Sequence, residues 1–241
     1  MPLKIDTYEF TEIIQATPDV KIFKFKPVIP ETKIFNYKPG QFLMMYMLDS
    51  EGKPTNLARA YSISSNPIQK DHLELTIKIT GKFTNMLDKM KVGDRVGVTG
   101  SFGVFTYNTE KHKDTVMMAG GVGIAPFISM VRFSTAQKLQ NKIFLFYSNR
   151  TNKDISHLEE LKRLEEENPN FRAIYTVTRD EPASGIHEQG RFNETHIQKY
   201  LPALEGKNFM LCGSTAMVND FTAILQALGV EKFRITAEKF G

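Results

Sequence analysis

The hydrophobic rhythm of this 241-residue chain changes once along its length, and that change demands two differently built halves. Up to about residue 108, short β-rich runs alternate with turns: Tyr8–Ile14, Val20–Lys26, Gln41–Met47, Leu57–Ser64, Leu73–Thr80 and Arg95–Thr99. Pro39-Gly40, Asn66-Pro67 and Gly93-Asp94 punctuate them. Short strands at such spacing predict an antiparallel β-barrel. Thr84–Met90 is the one convincing helical pattern in this half, with Thr84 as its candidate N-cap. After about residue 113, strands at Val116–Ala119, Ile143–Tyr147, Ala173–Val177, Phe209–Cys212 and Phe233–Thr236 alternate with helices. The helices run to about Leu139, then over Ile155–Glu167, Glu194–Tyr200 and Thr215–Leu228. This alternation predicts an α/β domain with a five-stranded parallel sheet and helices on both faces. The expected architecture is therefore two-domain, a barrel over residues 1–108 and an α/β domain over 113–241, joined by the polar stretch Tyr107–Asp114.

Composition narrows the function classes. No apolar run approaches the roughly 20 residues that span a bilayer, and Met1–Phe10 lacks the apolar core of a signal peptide. A cytoplasmic chain without its own membrane segment is expected. A single cysteine, Cys212, excludes an intrachain disulfide framework and argues against an iron–sulfur cluster, which takes four thiolates. His187 and His196 are too far apart for a zinc-binding helix motif, so no built-in metal site is expected. The net charge of +4 fits either a solvated surface with a small lysine excess or docking to an acidic protein. Lys and Arg are dispersed among acids without interleaved aromatics, which speaks against nucleic-acid binding.

The sharpest local signal is Met118-Ala119-Gly120-Gly121-Val122-Gly123-Ile124-Ala125-Pro126, a buried strand running through glycines into a helix. Glycines let a backbone approach a pyrophosphate, and the helix N-terminus offers unpaired N–H groups and partial positive charge. Pro126 suits a first-turn position, where its missing N–H costs nothing. The run departs from the G-x-G-x-x-G dinucleotide fingerprint, because Pro126 stands at the third glycine. No acid closes the second strand; Ser148-Asn149-Arg150 stand there instead. On this segment alone a tight structural turn remains open.

In the first half, Arg59-Ala60-Tyr61-Ser62 lies on a predicted strand whose alternation puts Arg59 and Tyr61 on one face. Such a face can clamp phosphate and cover an aromatic ring. This R-x-Y-S run upstream of G-G-x-G-I-A-P resembles the ferredoxin–NADP reductase superfamily. The likeness covers nearly the whole chain, with motifs in family order. Pro39-Gly40-Gln41-Phe42 looks like the family's P-G-Q-F, and Gly81-Lys82-Phe83-Thr84 with Leu87 like its flavin-phosphate turn. Gly100-Ser101-Phe102-Gly103 and Cys212-Gly213-Ser214-Thr215-Ala216-Met217 resemble G-P-x-G and C-G-P-x-x-M, each with Ser for Pro. Glu238-Lys239-Phe240 is similar to the E-x-F ending of oxygenase-type reductases, and Tyr147–Ile155 to the nucleotide-side segment of NADH-dependent cytochrome reductases.

The resemblance implies an FAD-binding barrel, an NAD(P)-binding α/β domain and hydride transfer from nicotinamide to flavin N5. It places Arg59 on the FAD pyrophosphate, Tyr61 on the flavin and Ser62 near flavin N5. Ala60, Ile77, Lys78, Gly81, Lys82, Phe83 and Thr84 join the FAD-binding set. Gly121, Val122, Gly123 and Ile124 would receive the NAD(P)H pyrophosphate, and Ser148 and Arg150 the adenosine ribose. Cys212, Gly213 and Met217 would border the nicotinamide, Glu238 would stabilise charge near N5, and Phe240 would cover the flavin. Ser62, Cys212, Glu238 and Phe240 form the implied catalytic set. The bland alternatives are a surface ion pair for Arg59, core packing for Tyr61 and Cys212, turn chemistry at Gly81–Thr84, a surface acid at Glu238 and a frayed end at Phe240. Ser148 and Arg150 leave NADH and NADPH both open, with a lean to NADH. Electrons would pass to a separate ferredoxin, rubredoxin, cytochrome or oxygenase component, from a chain expected to be a monomer. A subunit working only inside a larger redox complex and a nucleotide-responsive module without turnover are the competing readings.

Overall fold

The computed structural model describes residues 4–110, 114–201 and 203–240, and its contacts divide the chain into two compact units, Met1–Thr106 and Tyr107–Gly241. Residues 111–113 of the expected linker lie outside the described residues.

The first unit has six strands: β1 (Asp6–Thr17), β2 (Val20–Pro27), β3 (Phe42–Leu48), β4 (Pro54–Ser62), β5 (Leu73–Lys78) and β6 (Arg95–Phe102). They pair antiparallel in the order β4-β3-β6-β1-β2-β5. Just beyond β4, Ile63 bridges Leu75 of β5, and the Ser64 N–H donates to the Glu74 carbonyl at 2.9 Å. The two ends of the sheet thus meet and the expected barrel closes. Closure follows from composition: β3 buries Leu43, Met45 and Met47 and leaves the residues between them half-buried, the period of two that aims alternate side chains inward. Tyr8, Phe10, Phe23 and Phe25 fill the interior, with Phe25 edge-on to Tyr8 (5.7 Å) and to Phe10 (5.9 Å). Burial of each such side chain contributes roughly 1.5–3 kcal/mol.

The helix of this half, α1 (Lys82–Asp88), begins two residues before the expected start. Thr84 is not its N-cap, which is the extended Gly81. Thr84 sits in the first turn, where its hydroxyl oxygen accepts from the N–H groups of Thr80 and Gly81, both at 2.9 Å. Capping from inside the helix explains why a threonine marks the spot without occupying the cap position.

The second unit follows the expected strand–helix alternation. Its elements are β7 (Asp114–Gly120), α2 (Ile124–Ala136), β8 (Ile143–Asn149), α3 (Leu158–Glu167), β9 (Phe171–Val177), β10 (Glu188–Gln189), α4 (Glu194–Tyr200), β11 (Lys207–Ser214), α5 (Thr215–Ala227) and β12 (Ile235–Phe240). All strand pairs are parallel, in the order β10-β9-β8-β7-β11-β12. Among the described residues the sheet therefore has six strands, not five. The extra one, β10, has two residues, too few to carry a hydrophobic period, and it is held by pairing of Glu188 with Thr176 and Gln189 with Val177. The last strand starts later than expected, because Lys232–Arg234 forms a 3₁₀ turn that leaves Phe233 81% exposed. Glu238 and Phe240 consequently lie on a strand paired with β11.

Val116, Met118, Phe146, Ile174 and Leu211 pack with Ile197 of α4 and Val218, Phe221 and Leu225 of α5. Residues one position along the strands, such as Met117, Leu145 and Ala173, point to the opposite face by the period of two. There α2 and α3 are clasped by a partly buried ion pair. Glu160 accepts from Arg132 Nε (2.8 Å) and Nη2 (2.7 Å), with His157 Nδ1 at 3.2 Å.

Candidate functional site

In the first unit the R-x-Y-S run is the end of β4. Tyr61 pairs with Leu43 and Arg59 with Met45, both core residues, so Arg59 and Tyr61 share the inward-directed face, as the alternation predicts. Arg59 nevertheless is exposed: its guanidinium donates to the Ala58 carbonyl at 2.7 Å, and among the described residues it meets no carboxylate. Tyr61 is half-buried and its ring lies 5.9 Å from that of Phe83. Burial raises the Tyr61 hydroxyl above its ordinary range, with the Arg59 charge opposing, so the phenol stays protonated. Ser62 is buried opposite Phe42. The Tyr61–Phe83 contact brings the end of β4 onto the first turn of α1, which places two motifs separated in sequence at one spot.

That first turn is built to present donors. Thr84 consumes the Thr80 and Gly81 N–H groups, while Lys82, Phe83 and Thr84 occupy positions whose N–H groups have no intrahelical partner. Space over the Gly81 Cα is open to at least 4 Å. The Thr84 hydroxyl itself is engaged, donating to the Gly81 carbonyl at 3.0 Å, so its contribution is to shape the turn. Lys82 is exposed, Ile77 belongs to the core, Ala60 is exposed, and Lys78 is paired with Asp19 at 2.6 Å.

In the second unit the chain begins in the middle of the sheet. From β7 it steps outward through β8, β9 and β10, then returns to place β11 on the other side of β7. The reversal opens a crevice at the carboxyl ends of β7 and β11, the position where open α/β sheets bind ligands. The glycine run lies there as a 3₁₀ turn, Gly121–Gly123, leading into α2, and Val122 and Ile124 belong to it. Gly121 has φ +52° and nothing within 4 Å of a built Cβ, so the crevice is open above it. Gly123 is glycine for the opposite reason: a Cβ there would stand 2.2 Å from the Cys212 carbonyl oxygen. Pro126 falls in the first turn of α2, as its missing N–H requires.

The neighbouring motif completes the crevice. Met217 lays its thioether over Gly120 and Gly213, where an added Cβ would meet its sulfur or methyl at 2.1 Å and 2.4 Å. Ser214, which replaces the family's proline, is the N-cap of α5 and accepts from the Met217 N–H at 3.4 Å. Cys212 is fully buried, flanked by Ala119 on β7 and Glu238 on β12. Burial, reinforced by the Glu238 charge, pushes the Cys212 thiol well up, so it is no thiolate nucleophile. Burial also raises the Glu238 carboxyl, whose Oε2 is enclosed and, among the described residues, has no hydrogen-bond partner. Phe240, half-buried, pairs with Ser214 at the same end of the sheet. Ser148 lies beside Gly120 and Thr176 at the end of β8, and exposed Arg150 follows it. Sequence reasoning missed Arg179, also exposed, whose N–H donates to the Arg150 carbonyl at 2.8 Å. No spacing rule signals that neighbour, since only the parallel pairing of β8 with β9 brings it in.

An open glycine turn and two helix N-termini fit a nucleotide whose diphosphate meets backbone. The barrel with its donor-bearing turn fits a second such group. These are the features of a two-domain flavin- and nicotinamide-nucleotide oxidoreductase.

Comparison with known proteins agrees. Residues 7–107 match the family model of the oxidoreductase FAD-binding domain and residues 117–223 that of the oxidoreductase NAD-binding domain. The chain belongs to the ferredoxin–NADP reductase superfamily and is an FAD- and NAD-binding oxidoreductase. It is 26% identical over 236 residues to NADH-cytochrome b5 reductase 1 of Mortierella alpina, covering 96% of this chain and 77% of the relative. It is 27% identical over 240 residues to the reductase component of propane 2-monooxygenase of Mycolicibacterium goodii, covering 95% and 67%. Its fold matches the flavohem-like FAD/NAD binding domain of nitric oxide dioxygenase from Vibrio cholerae at a TM-score of 0.87 and 22% identity, over 98% of both chains. Among the described residues no helix is long and apolar enough to cross a membrane, and no cluster of His, Cys, Asp and Glu could hold a metal ion.

Proposed function

We propose that this chain is an NAD(P)H reductase that loads electrons onto FAD and passes them to a separate protein acceptor, a cytochrome, a ferredoxin, a rubredoxin or an oxygenase component. The relatives named for cytochrome b5 and for a monooxygenase support that acceptor class. Bound FAD supplies the chemistry, an isoalloxazine ring that accepts a hydride at N5 and returns electrons to an acceptor.

The protein's own contribution is positional and electrostatic. Arg59, free of any carboxylate among the described residues, binds the FAD diphosphate together with the N–H groups of Lys82, Phe83 and Thr84. Tyr61 covers the flavin with its protonated phenol, and Ser62 orients the ring edge. In the second unit Gly121 admits the NAD(P)H diphosphate and the N-terminus of α2 opposes its charge. Cys212 packs against the nicotinamide as a thiol, and Glu238 steadies the charge that shifts during transfer. Phe240, at the carboxyl end of β12, completes the proposed set of the second unit. Ser148 and Arg150 bind the adenosine ribose, so the choice between NADH and NADPH rests at the end of β8.

The observation that carries this reading is the convergence of Gly121, Gly123, Cys212, Met217 and Glu238, from three parts of the sequence, at the carboxyl ends of β7, β11 and β12. The test is anaerobic stopped-flow mixing of the FAD-loaded chain with NADH and, separately, NADPH. Bleaching of the flavin absorption is expected with at least one of them. A colour unchanged by both ends the proposal. Steady-state ferricyanide reduction then ranks the two nucleotides, and pull-down followed by reduction of the captured protein identifies the acceptor.

A further inference from the structure

The P-G-Q run opens β3 in a way that its place in a motif does not explain. Lys38-Pro39-Gly40-Gln41 is a tight turn: the Gln41 N–H donates to the Lys38 carbonyl at 3.1 Å, and Gly40 supplies φ +99°. The Gln41 side chain closes the same turn a second time, its Oε1 accepting from the Lys38 N–H at 2.9 Å. Its Nε2 reaches across to the residue that follows β6 and donates to the Gly103 carbonyl at 3.1 Å. Because one partner is a main-chain donor and the other a main-chain acceptor, the amide has only one orientation. Ser101, which stands where the family has proline, directs its hydroxyl to Gln41 Oε1 at 2.9 Å or to the Asn36 carbonyl at 3.1 Å. The Gln41 carbonyl meanwhile accepts from the Ile63 N–H at 2.9 Å, and the next residue, Phe42, pairs with Ser62. One half-buried side chain therefore ties the turn to the segment that ends β6, and so fixes the Gln41 main chain, whose carbonyl and whose neighbour Phe42 hold Ile63 and Ser62 at the end of β4.

We infer that Gln41 is a positioning residue for the flavin-binding rim, acting through the place it gives Ser62. The inference rests on the proposed flavin site and adds to it a residue outside the contact set. Ser101 restores by hydrogen bonding what a proline would supply by rigidity, which is why this chain accepts serine there. The hydrogen-bond partners of the amide, Lys38, Ser101 and Gly103, all lie outside the apolar core, so its loss loosens the rim and leaves the barrel interior as it is.

The experiment is a double-mutant cycle on the full chain loaded with FAD. Gln41→Met keeps the length of the side chain and removes both hydrogen-bonding groups. It is expected to retain FAD, to shift the visible flavin absorption band, and to slow reduction at saturating nicotinamide nucleotide by about tenfold, since small misplacements at a reacting centre carry large rate costs. In a Ser62→Ala background the same change is expected to slow reduction by less than about twofold, because coupled residues are not additive. A Gln41→Met chain with the wild-type spectrum and rate overturns the inference. So does a full additional slowing on top of Ser62→Ala, which would mark Gln41 as a structural residue only. Should Gln41→Met fail to fold, Ser101→Ala removes one donor to the same amide and runs through the same cycle, where either of those two results again overturns the inference. Failure of the parent reading looks different: the wild-type chain itself shows no flavin bleaching.

Discussion

Glu238 sits where a carboxylate costs stability. One of its oxygens is enclosed without a partner among the described residues, and burial raises its carboxyl above the usual range. For an acid whose folded-state value is raised, the penalty is absent below the ordinary carboxylate range. It grows as pH rises through that range and is complete above the folded value. Glu238→Gln is therefore expected to melt higher than the wild type at pH 8 and equally at pH 4, while reducing flavin more slowly. Melting curves against pH read the first effect and stopped-flow the second. A variant that is no more stable at pH 8 would show that the acid is solvated. The glycines make a second contrast. Gly123→Ala must push a methyl into the Cys212 carbonyl and is expected to lose about 1–3 kcal/mol in denaturant unfolding. Gly121→Ala meets no atom within 4 Å and strains only its backbone, costing about 1–2 kcal/mol, and it should weaken nucleotide binding by filling the crevice.

At the scale of elements, the clasp between α2 and α3 is a stability device separate from the reaction. Burial works to raise the Glu160 carboxyl, but hydrogen bonds from His157 and Arg132 and the Arg132 charge outweigh it and hold it below the carboxylate range. A depressed acid gives stability that is present above its unfolded value of about 4.5 and is lost as pH falls toward the folded value. Glu160→Gln leaves Arg132 partly buried without its counter-charge and is expected to cost about 3 kcal/mol at pH 7, less at pH 3. Chemical denaturation at the two pH values measures both. What is legible in sequence follows the same physical divide. The stretches Ile143–Tyr147 and Ala173–Val177 announce their strands because burial on both sheet faces favours nearly continuous apolar runs. The strand Glu188–Gln189 does not, being set by its neighbour and not by its own side chains. The start of α1 is hidden because threonine favours the cap in general, whereas here Gly81 takes the cap and the hydroxyl serves from the first turn. Arg179 and the staple around Gln41 lie beyond reach, since both depend on main-chain partners that only the folded sheet supplies.

For the whole molecule, the family motifs identify the class of protein because they mark backbone positions where nucleotides come close, and such positions tolerate few residues. They do not specify the Cys212–Glu238 adjacency, which depends on register between two parallel strands. If both nucleotides bind the folded chain alone, each must raise its stability by mass action. FAD at about a hundred times its dissociation constant should add about 2.7 kcal/mol, and NAD(P)H should add a further increment. Calorimetric melting with each nucleotide separately and together tests this, and a melting point indifferent to FAD would contradict it.

The central strand of the second unit is the first one made. A ribosome delivers Asp114–Gly120 and the glycine turn well before β11, and β12 comes later still, so the crevice has only one wall during most of its synthesis. Nascent chains halted before β12 should hold Gly121 and Gly123 in place yet lack the Glu238 carboxylate. On the role proposed for Glu238, hydride transfer therefore waits until β12 has left the ribosome.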